Sequence, residues 1–353
     1  MKGIKKILAL SLLTIFSFSM ISCGNSNTEK KQLEDTVVVT TKYPDEVMKY
    51  VSDEFKKETG INVEYEVKDE ISEDDFKNPK TDIVLGGDKE LYKKETSNGN
   101  LTAYKTSWFD DVDENYRDKE GYWYSVFRNP IVVVYNKANL QGGLIPTKLQ
   151  DLELGKLTNK IVMVNANNFY TKYFISASGL YLTAASNNDE NVANLFLKSL
   201  KMNVANFYNN YSDLATALST KETPIGIMPF DVFMKKSKVD TNLNRIDLPD
   251  GSPVVNECAG ILKTAPHSQA SELFMEYIAG PKVQLELAQK YNIMPILPVA
   301  KKYEPDWMKN FKTMDVKEDV VLSNESKWVQ YFNGVIKPES LIPKPKEEPK
   351  KTS

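Results

Sequence analysis

Two periods of hydrophobic residues alternate along this chain. Thr36-Val-Val-Val-Thr40 is a compact run of β-branched residues and predicts a strand. After Pro44 and Asp45, the apolar residues Val47, Tyr50, Val51 and Phe55 fall three or four apart, the spacing of a helix with one buried face. Gly60 stands where that helix would be capped, and residues 61–67 alternate as a second strand. Strand, helix and strand in this order predict a βαβ unit and a parallel sheet. Further strands are predicted at 83–85, 160–164 and 225–231, the last running into a loop. Helices are predicted through Phe174, Ser178 and Leu182, at 191–200, 211–218, 268–279 and 281–291, and finally through Trp328, Tyr331 and Phe332.

Two stretches break the pattern in the same way. In Tyr122-Trp-Tyr-Ser-Val-Phe-Arg-Asn-Pro-Ile-Val-Val-Val-Tyr-Asn136, two strand-like runs flank the polar break Arg128-Asn129-Pro130. In Val254-Val-Asn-Glu-Cys-Ala-Gly-Ile-Leu262 the break is Asn256-Glu257. A polar interruption resists burial, and proline cannot donate to a ladder, so a single central strand is a poor reading. One alternative is an edge strand with a proline-induced bulge. The other is a segment that leaves one sheet, crosses an open space and enters a second. Because two such stretches bracket a segment with its own α/β pattern, the expected architecture is α/β with two lobes: two mixed sheets flanked by helices and joined by crossing hinge strands. Residues 36–129 with 256–299 would form the first lobe, and 130–255 with 300–336 the second. The Pro-, Lys- and Glu-rich tail 337–353 cannot bury a core and is expected to be disordered.

The N-terminus adds a compartment. Lys2, Lys5 and Lys6 precede an apolar run from Ile7 to Ile21 that is too short to span a bilayer, the form of a signal peptide over residues 1–22. Met20-Ile21-Ser22-Cys23 resembles the bacterial lipobox, in which the cysteine becomes the lipidated first residue of the mature chain. Residues 23–35 would then tether the fold to a membrane, outside the cytoplasm, on the periplasmic side or at the cell surface. Losing the leader removes three lysines and no acid, leaving 42 basic against 48 acidic residues, a balance that does not suit nucleic acid. Cys258 is then the sole other cysteine, so no internal disulfide is available and stability has to come from the core.

Catalytic constellations are absent from the sequence. The single histidine, His267, precedes a predicted helix and is expected on the surface. There is no HExxH, no paired CxxC and no G-x-S-x-G, and no cofactor, resident metal or enzymatic activity is expected. Cys258 lies among apolar residues and reads as a buried thiol. The acids between Asp69 and Asp75 read as a solvated loop or helix face, with a cation site as the alternative.

The order and spacing of several short marks resemble the type II extracellular solute-binding proteins of ABC importers, in the iron(III)/phosphonate/thiamine/polyamine branch. These marks are Glu54-Phe55 with Thr59-Gly60-Ile61, Asp82-Ile83-Val84-Leu85-Gly86, Tyr135-Asn136, and Leu273-Phe274-Met275-Glu276-Tyr277-Ile278 followed by Pro281-Lys282-Val283-Gln284 and Leu287-Ala288. The resemblance runs from about Thr36 to Val299. It implies a monomer that closes two lobes over a small molecule or ion and hands it to a permease and an ATPase. No phosphate-binding loop occurs in this chain, so the ATPase would be a separate protein. The adjacent tyrosine pair used by iron(III) binders of this branch is replaced by Pro229-Phe230-Asp231-Val232-Phe233, which leaves ferric iron as the alternative cargo. A lipid-anchored adhesin or structural protein on the same scaffold is the alternative role.

In open α/β sheets ligands collect beyond the carboxyl ends of the strands. The candidate rim is therefore Thr40, Thr41, Lys42, Tyr43, Gly87, Asp88, Arg128, Asn129, Asn167, Asn168, Tyr170, Asp231, Asn256 and Glu257, with Tyr43 and Tyr170 expected in loops. This polar, mixed-charge set predicts a small hydrophilic charged solute. Arg128 is one of three arginines against 42 lysines. At the break it could clamp a carboxylate or phosphate, or it could stiffen the hinge through a salt bridge, with Glu257 as the candidate partner. The first option leads the reading toward an anionic solute. For the N-terminus, Cys23→Ala is expected to block lipid attachment and maturation, with mass spectrometry of the wild type showing an acylated N-terminal Cys23 peptide; an unmodified N-terminus at another residue would refute the anchor.

Overall fold

A computed structural model of the protein describes residues 34–140, 144–220 and 223–334. The leader, Cys23, most of the expected tether and the tail 337–353 lie outside the described residues. The first lobe opens with β1 (Thr36–Thr41), α1 (Asp45–Thr59) and β2 (Asn62–Val67), with β1 and β2 parallel as the sequence predicts. Gly60 closes α1 at φ 80°, a left-handed conformation that glycine adopts without steric cost. β3 (Ile83–Leu85) lies parallel to β1 on its other side. α2 (Lys89–Ser97) and β4 (Leu101–Thr102) follow.

β5 (Tyr124–Asn136) is one continuous strand that belongs to both sheets. Its first half pairs with the return strand β10 (Val254–Leu262) in the first lobe. Its second half, from Ile131, pairs antiparallel with β8 (Ile225–Pro229) and β9 (Leu243–Ile246) in the second. Pro130 is tolerated because the ladder changes partners there. The remaining second-lobe elements are β6 (Ile161–Val164), α3 (Phe169–Ala185), α4 (Glu190–Asn203), β7 (Val204–Tyr208), α5 (Tyr211–Ser219) and α6 (Phe230–Ser237). β6 lies parallel to β7 and to β8. After β10, α7 (Ser268–Ile278), α8 (Pro281–Tyr291) and β11 (Met294–Pro295) return to the first lobe, where β11 pairs with β5 at the crossing. α9 (Glu318–Asn333) packs on α3 and α4. No helix among the described residues is long and apolar enough to cross a membrane.

Each lobe has its own apolar core. Val37, Val39, Phe55, Phe127 and Phe274 belong to the first; Phe174, Phe196, Val321, Trp328 and Phe332 belong to the second. Several expectations change in detail. The expected tether residue Glu34 accepts the amides of Gln269 and Ala270 at the start of α7 and so belongs to the fold. His267 lies partly exposed at the helix start, as expected, and is in addition held by Asp82 through both its backbone amide and Nδ1. Residues 300–336 do not all lie in the second lobe: Ala300 packs in the first core, Trp307 and Phe311 pack against Phe230, and the second core is joined from Met314 onward. Asp231 sits in the first turn of α6 and Tyr170 in the first turn of α3, where loops were expected.

The seam between α3 and α9 is close-packed at one glycine: a Cβ built on Gly179 would lie 2.6 Å from the Trp328 ring. Trp328 is buried and cannot withdraw without opening the core. Gly179→Ala is therefore expected to lower the unfolding free energy by about 1–3 kcal/mol through overpacking, read by chemical denaturation; an unchanged or raised stability would show the seam to be looser than this geometry.

Candidate functional site

The pleat of the crossing strands sorts the polar breaks into two pairs. Arg128 lies opposite Asn256 in the β5–β10 register, and alternation sends Asn129 and Glu257 to the other face. The four residues therefore do not all face one cleft. On the front, Glu257 is 1 % exposed, and its carboxylate is solvated entirely by protein. The Tyr43 and Tyr170 hydroxyls donate to its two oxygens, Asn129 Nδ2 donates at 3.1 Å, and Lys42 Nζ lies 2.7 Å away. Lys42 also meets the Tyr170 hydroxyl and stands 3.6 Å from Asp231 Oδ2. Asn129 reaches the Tyr170 hydroxyl with Nδ2 and accepts the Asp231 amide with Oδ1.

Local structure explains the convergence. Thr41 Oγ1 accepts the Tyr43 amide, making a tight turn at the end of β1 that carries Lys42 and Tyr43 inward. Asn168 caps α3 by accepting the Tyr170 and Thr171 amides and also takes the Tyr211 hydroxyl at 2.7 Å, which fixes the first turn of α3 and with it Tyr170. Asp231 is placed by the β8–α6 junction. First lobe, second lobe and hinge thus each contribute to one cluster of Lys42, Tyr43, Asn129, Tyr170, Asp231 and Glu257. The space left beside it is about 10 Å³, lined by Tyr43, Asn129, Asp231, Glu257 and Ile293 among others, so the two lobes are closed on each other.

The electrostatics follow from this burial. Burial works against the charge on Lys42, but Asp231 and Glu257 outweigh it and raise the ammonium above the ordinary lysine value. Burial, followed by the adjacent Glu257, pushes the Tyr43 and Tyr170 phenols far up, so both stay protonated at neutral pH.

The other predicted rim residues have different partners. Thr40 hydrogen-bonds Thr81 inside the first lobe. Gly87, at φ 81°, gives its carbonyl to the Cys258 amide, and Asp88 caps α2 through the Glu90 and Leu91 amides. Asn167 is exposed in the turn before α3. Arg128 donates to the Pro295 carbonyl and pairs at 2.8 Å with Glu304, so the hinge salt bridge forms with Glu304 in place of Glu257. Asn256 donates to Glu318 behind the strands. There a larger cavity of about 440 Å³ opens, lined by Lys89, Tyr116, Tyr173, Asn256 and Glu318 among others; Arg128 borders both spaces, at the pivot.

Two residues near the front were missed. Glu70, read as part of a solvated acidic stretch, reaches across the cleft to accept the Phe169 amide, and burial raises its pKa. Tyr211 was read only as the start of a helix. Both contacts join segments far apart in sequence, and local periodicity carries no sign of them. Among the described residues no three His, Cys, Asp or Glu side chains gather as a metal site, so a metal cargo would have to use the phenol oxygens.

Two α/β lobes joined by crossing strands, with one buried polar cluster built from both, define the two-lobed periplasmic-binding-protein fold. Over residues 78–323 the chain matches the family described as bacterial extracellular solute-binding protein, and it belongs to that family. A probable ABC transporter periplasmic-binding protein, y4fP, from Sinorhizobium fredii is 23% identical over 267 residues, 72% of each chain. Among solved structures, the ferric binding protein from Campylobacter jejuni superposes with a TM-score of 0.66 at 18% identity, covering 85% of this chain and 99% of that one. The periplasmic binding protein AfuA from Actinobacillus pleuropneumoniae, with fructose-6-phosphate bound, has a TM-score of 0.66 at 18% identity, covering 84% and 98%.

The cluster depends on the Lys42–Glu257 pair. Lys42→Met should destabilise the protein by about 3–5 kcal/mol at neutral pH, because it leaves a buried carboxylate without its cation. Adding Glu257→Gln should recover much of that loss. Because Lys42 is raised above the ordinary value of 10.5, its contribution is complete below that pH and is lost as pH rises through the folded-state value. Urea unfolding of the wild type and both variants across this range is the measurement; a Lys42→Met deficit that Glu257→Gln leaves unchanged would dissolve the coupling.

Proposed function

We propose that this chain is the capture component of an ABC importer. It closes its two lobes over a small, hydrophilic, charged solute and presents it to a membrane permease driven by a separate ATPase. The family and the similarity to a probable ABC transporter periplasmic-binding protein support the role. The observation that carries it is the convergence of both lobes and the hinge on one buried polar cluster, an arrangement that opens and reforms as rigid lobes move about β5 and β10. The chain acts as a monomer and without catalysis. Cys23 is its lipid anchor, which holds it at an extracytoplasmic membrane face.

Both signs of solute charge have a partner in the cluster. An anionic group such as a phosphate, phosphonate or carboxylate would take Lys42, and the fructose-6-phosphate bound by AfuA favours that class. Arg128, which first suggested it, already has Glu304. A cation would instead take the oxygens of Tyr43, Tyr170, Asp231 and Glu257. Ferric iron as cargo is favoured by that oxygen-rich set and by the likeness to a ferric binding protein.

Two measurements test the role. A thermal-shift panel of sugar phosphates, phosphonates, dicarboxylates, ferric citrate, polyamines and thiamine should yield a stoichiometric binder, worth about 2.7 kcal/mol at 100 times its dissociation constant. Small-angle scattering should then show a smaller radius of gyration with that binder than in a ligand-free open form. A panel without any saturable binder would favour the adhesin or structural role, and binding without compaction would remove the two-lobe capture mechanism.

A further inference from the structure

The group at the centre of the closed cleft is a side chain of the protein itself. Lys42 Nζ is held by Glu257 Oε1 at the hinge, by the Tyr170 hydroxyl, and by Asp231 Oδ2 in the second lobe. Of the three oxygens, those of Glu257 and Tyr170 lie within hydrogen-bond distance of the ammonium, and Asp231, at 3.6 Å, adds an ion pair. Tyr170 meets Nζ at its hydroxyl edge, and the Tyr43 ring, with its centroid 5.7 Å away, completes the enclosure within cation–π range. The path of the stem is also built in. Gly86 sits at φ 119°, and a Cβ there would come within 2.6 Å of Lys42 Cγ, so a glycine is what lets the lysine run inward.

Charge points the same way. Glu257 and Asp231 both face Lys42, while Glu70 is shared between Lys172 and Lys42, and Arg128 at the border is already paired with Glu304. Among the groups in direct contact with Nζ, two carboxylates share one ammonium. An entering anion would meet like charge beside its partner, whereas an entering ammonium would find acceptors already arranged around an ammonium.

We infer that the enclosure formed by Glu257, Asp231, Tyr43, Tyr170 and Asn129 is a primary-ammonium site, occupied in the ligand-free closed form by Lys42 as a tethered competitor. Resting on the capture role proposed above, this makes the solute a small hydrophilic molecule with a primary amine, whose ammonium displaces Lys42 toward solvent. A tethered occupant acts at a high effective concentration, so a bare amine competes poorly. A solute with further groups to engage elsewhere in the cleft would overcome it, which makes Lys42 a selectivity device as well as a latch.

The test uses Lys42→Ala in the otherwise complete mature protein, titrated with n-propylammonium chloride, and separately with sodium acetate and inorganic phosphate. Calorimetry and thermal shift are the readouts. The variant is expected to bind n-propylammonium about 100-fold more tightly than the wild type, the scale of restoring a cation to a buried carboxylate, and to regain melting temperature with it alone. Lys42→Ala/Glu257→Gln, which leaves no unpaired buried carboxylate, should fold and lose that response. If Lys42→Ala is unfolded on its own, refolding in the same additives replaces the titration: recovery with n-propylammonium but not with acetate or phosphate supports the assignment. No response to the ammonium, or a response to acetate or phosphate in its place, overturns it. Saturable, stoichiometric binding of any solute of the thermal-shift panel to the wild type tests the capture role independently of the latch, so failure of the ammonium site would leave that result standing.

Discussion

A buried carboxylate at the pivot is the constraint around which this molecule is arranged. Glu257 lies on β10 where the chain passes between sheets, 1 % exposed. An ionised carboxylate in such a place is costly unless it is paired and hydrogen-bonded. Lys42 and Tyr43 from the first lobe, Tyr170 from the second and Asn129 from the facing hinge strand meet that demand together. No single lobe supplies the set. The closed arrangement and the solvation of Glu257 are therefore coupled, and opening the cleft exchanges these partners for water or for a solute.

The back of the hinge has a separate network. Arg128 joins Glu304 and the Pro295 carbonyl, while Asn256 and Lys89 meet Glu318, and Lys89 also meets Asp319 at the start of α9. These contacts tie α9, which packs on the second lobe, to α2 of the first. The scarce arginine at the polar break is thus placed to stiffen the pivot. Lys42 is the cation that reaches the centre of the front cluster. A lysine suits that place: its compact ammonium on a flexible stem can be surrounded by oxygens and withdrawn, whereas a planar guanidinium favours a fixed fork.

Membership of the solute-binding family and the fold agree with this physical picture, and the picture adds what likeness at 18–23% identity cannot. Likeness at that level carries the fold, while the chemistry of the cleft has to come from this chain's own residues. Here those residues gather the oxygens of Glu257, Asp231 and Tyr170 around the ammonium of Lys42.

Much was legible from residue order. The β-branched runs, the helical spacing after Pro44, Gly60 as a left-handed cap and the two polar interruptions followed from local preference and periodicity, and they led to two lobes joined at 128–130 and 256–257. The residue types of the site were legible too, since polar groups interrupting buried strands need partners. The pairing was decided only by tertiary structure. Pleat alternation put Arg128 and Asn256 behind the sheet and Asn129 and Glu257 in front, a two-residue periodicity whose phase depends on which strand lies alongside. Glu304, rather than Glu257, became the partner of Arg128 because a segment 176 residues away folds back over the hinge. Glu70 joined the front cluster through a contact between lobes and Tyr211 through a contact between two helices of the second lobe, and such contacts depend on how separate elements dock, which no local pattern records.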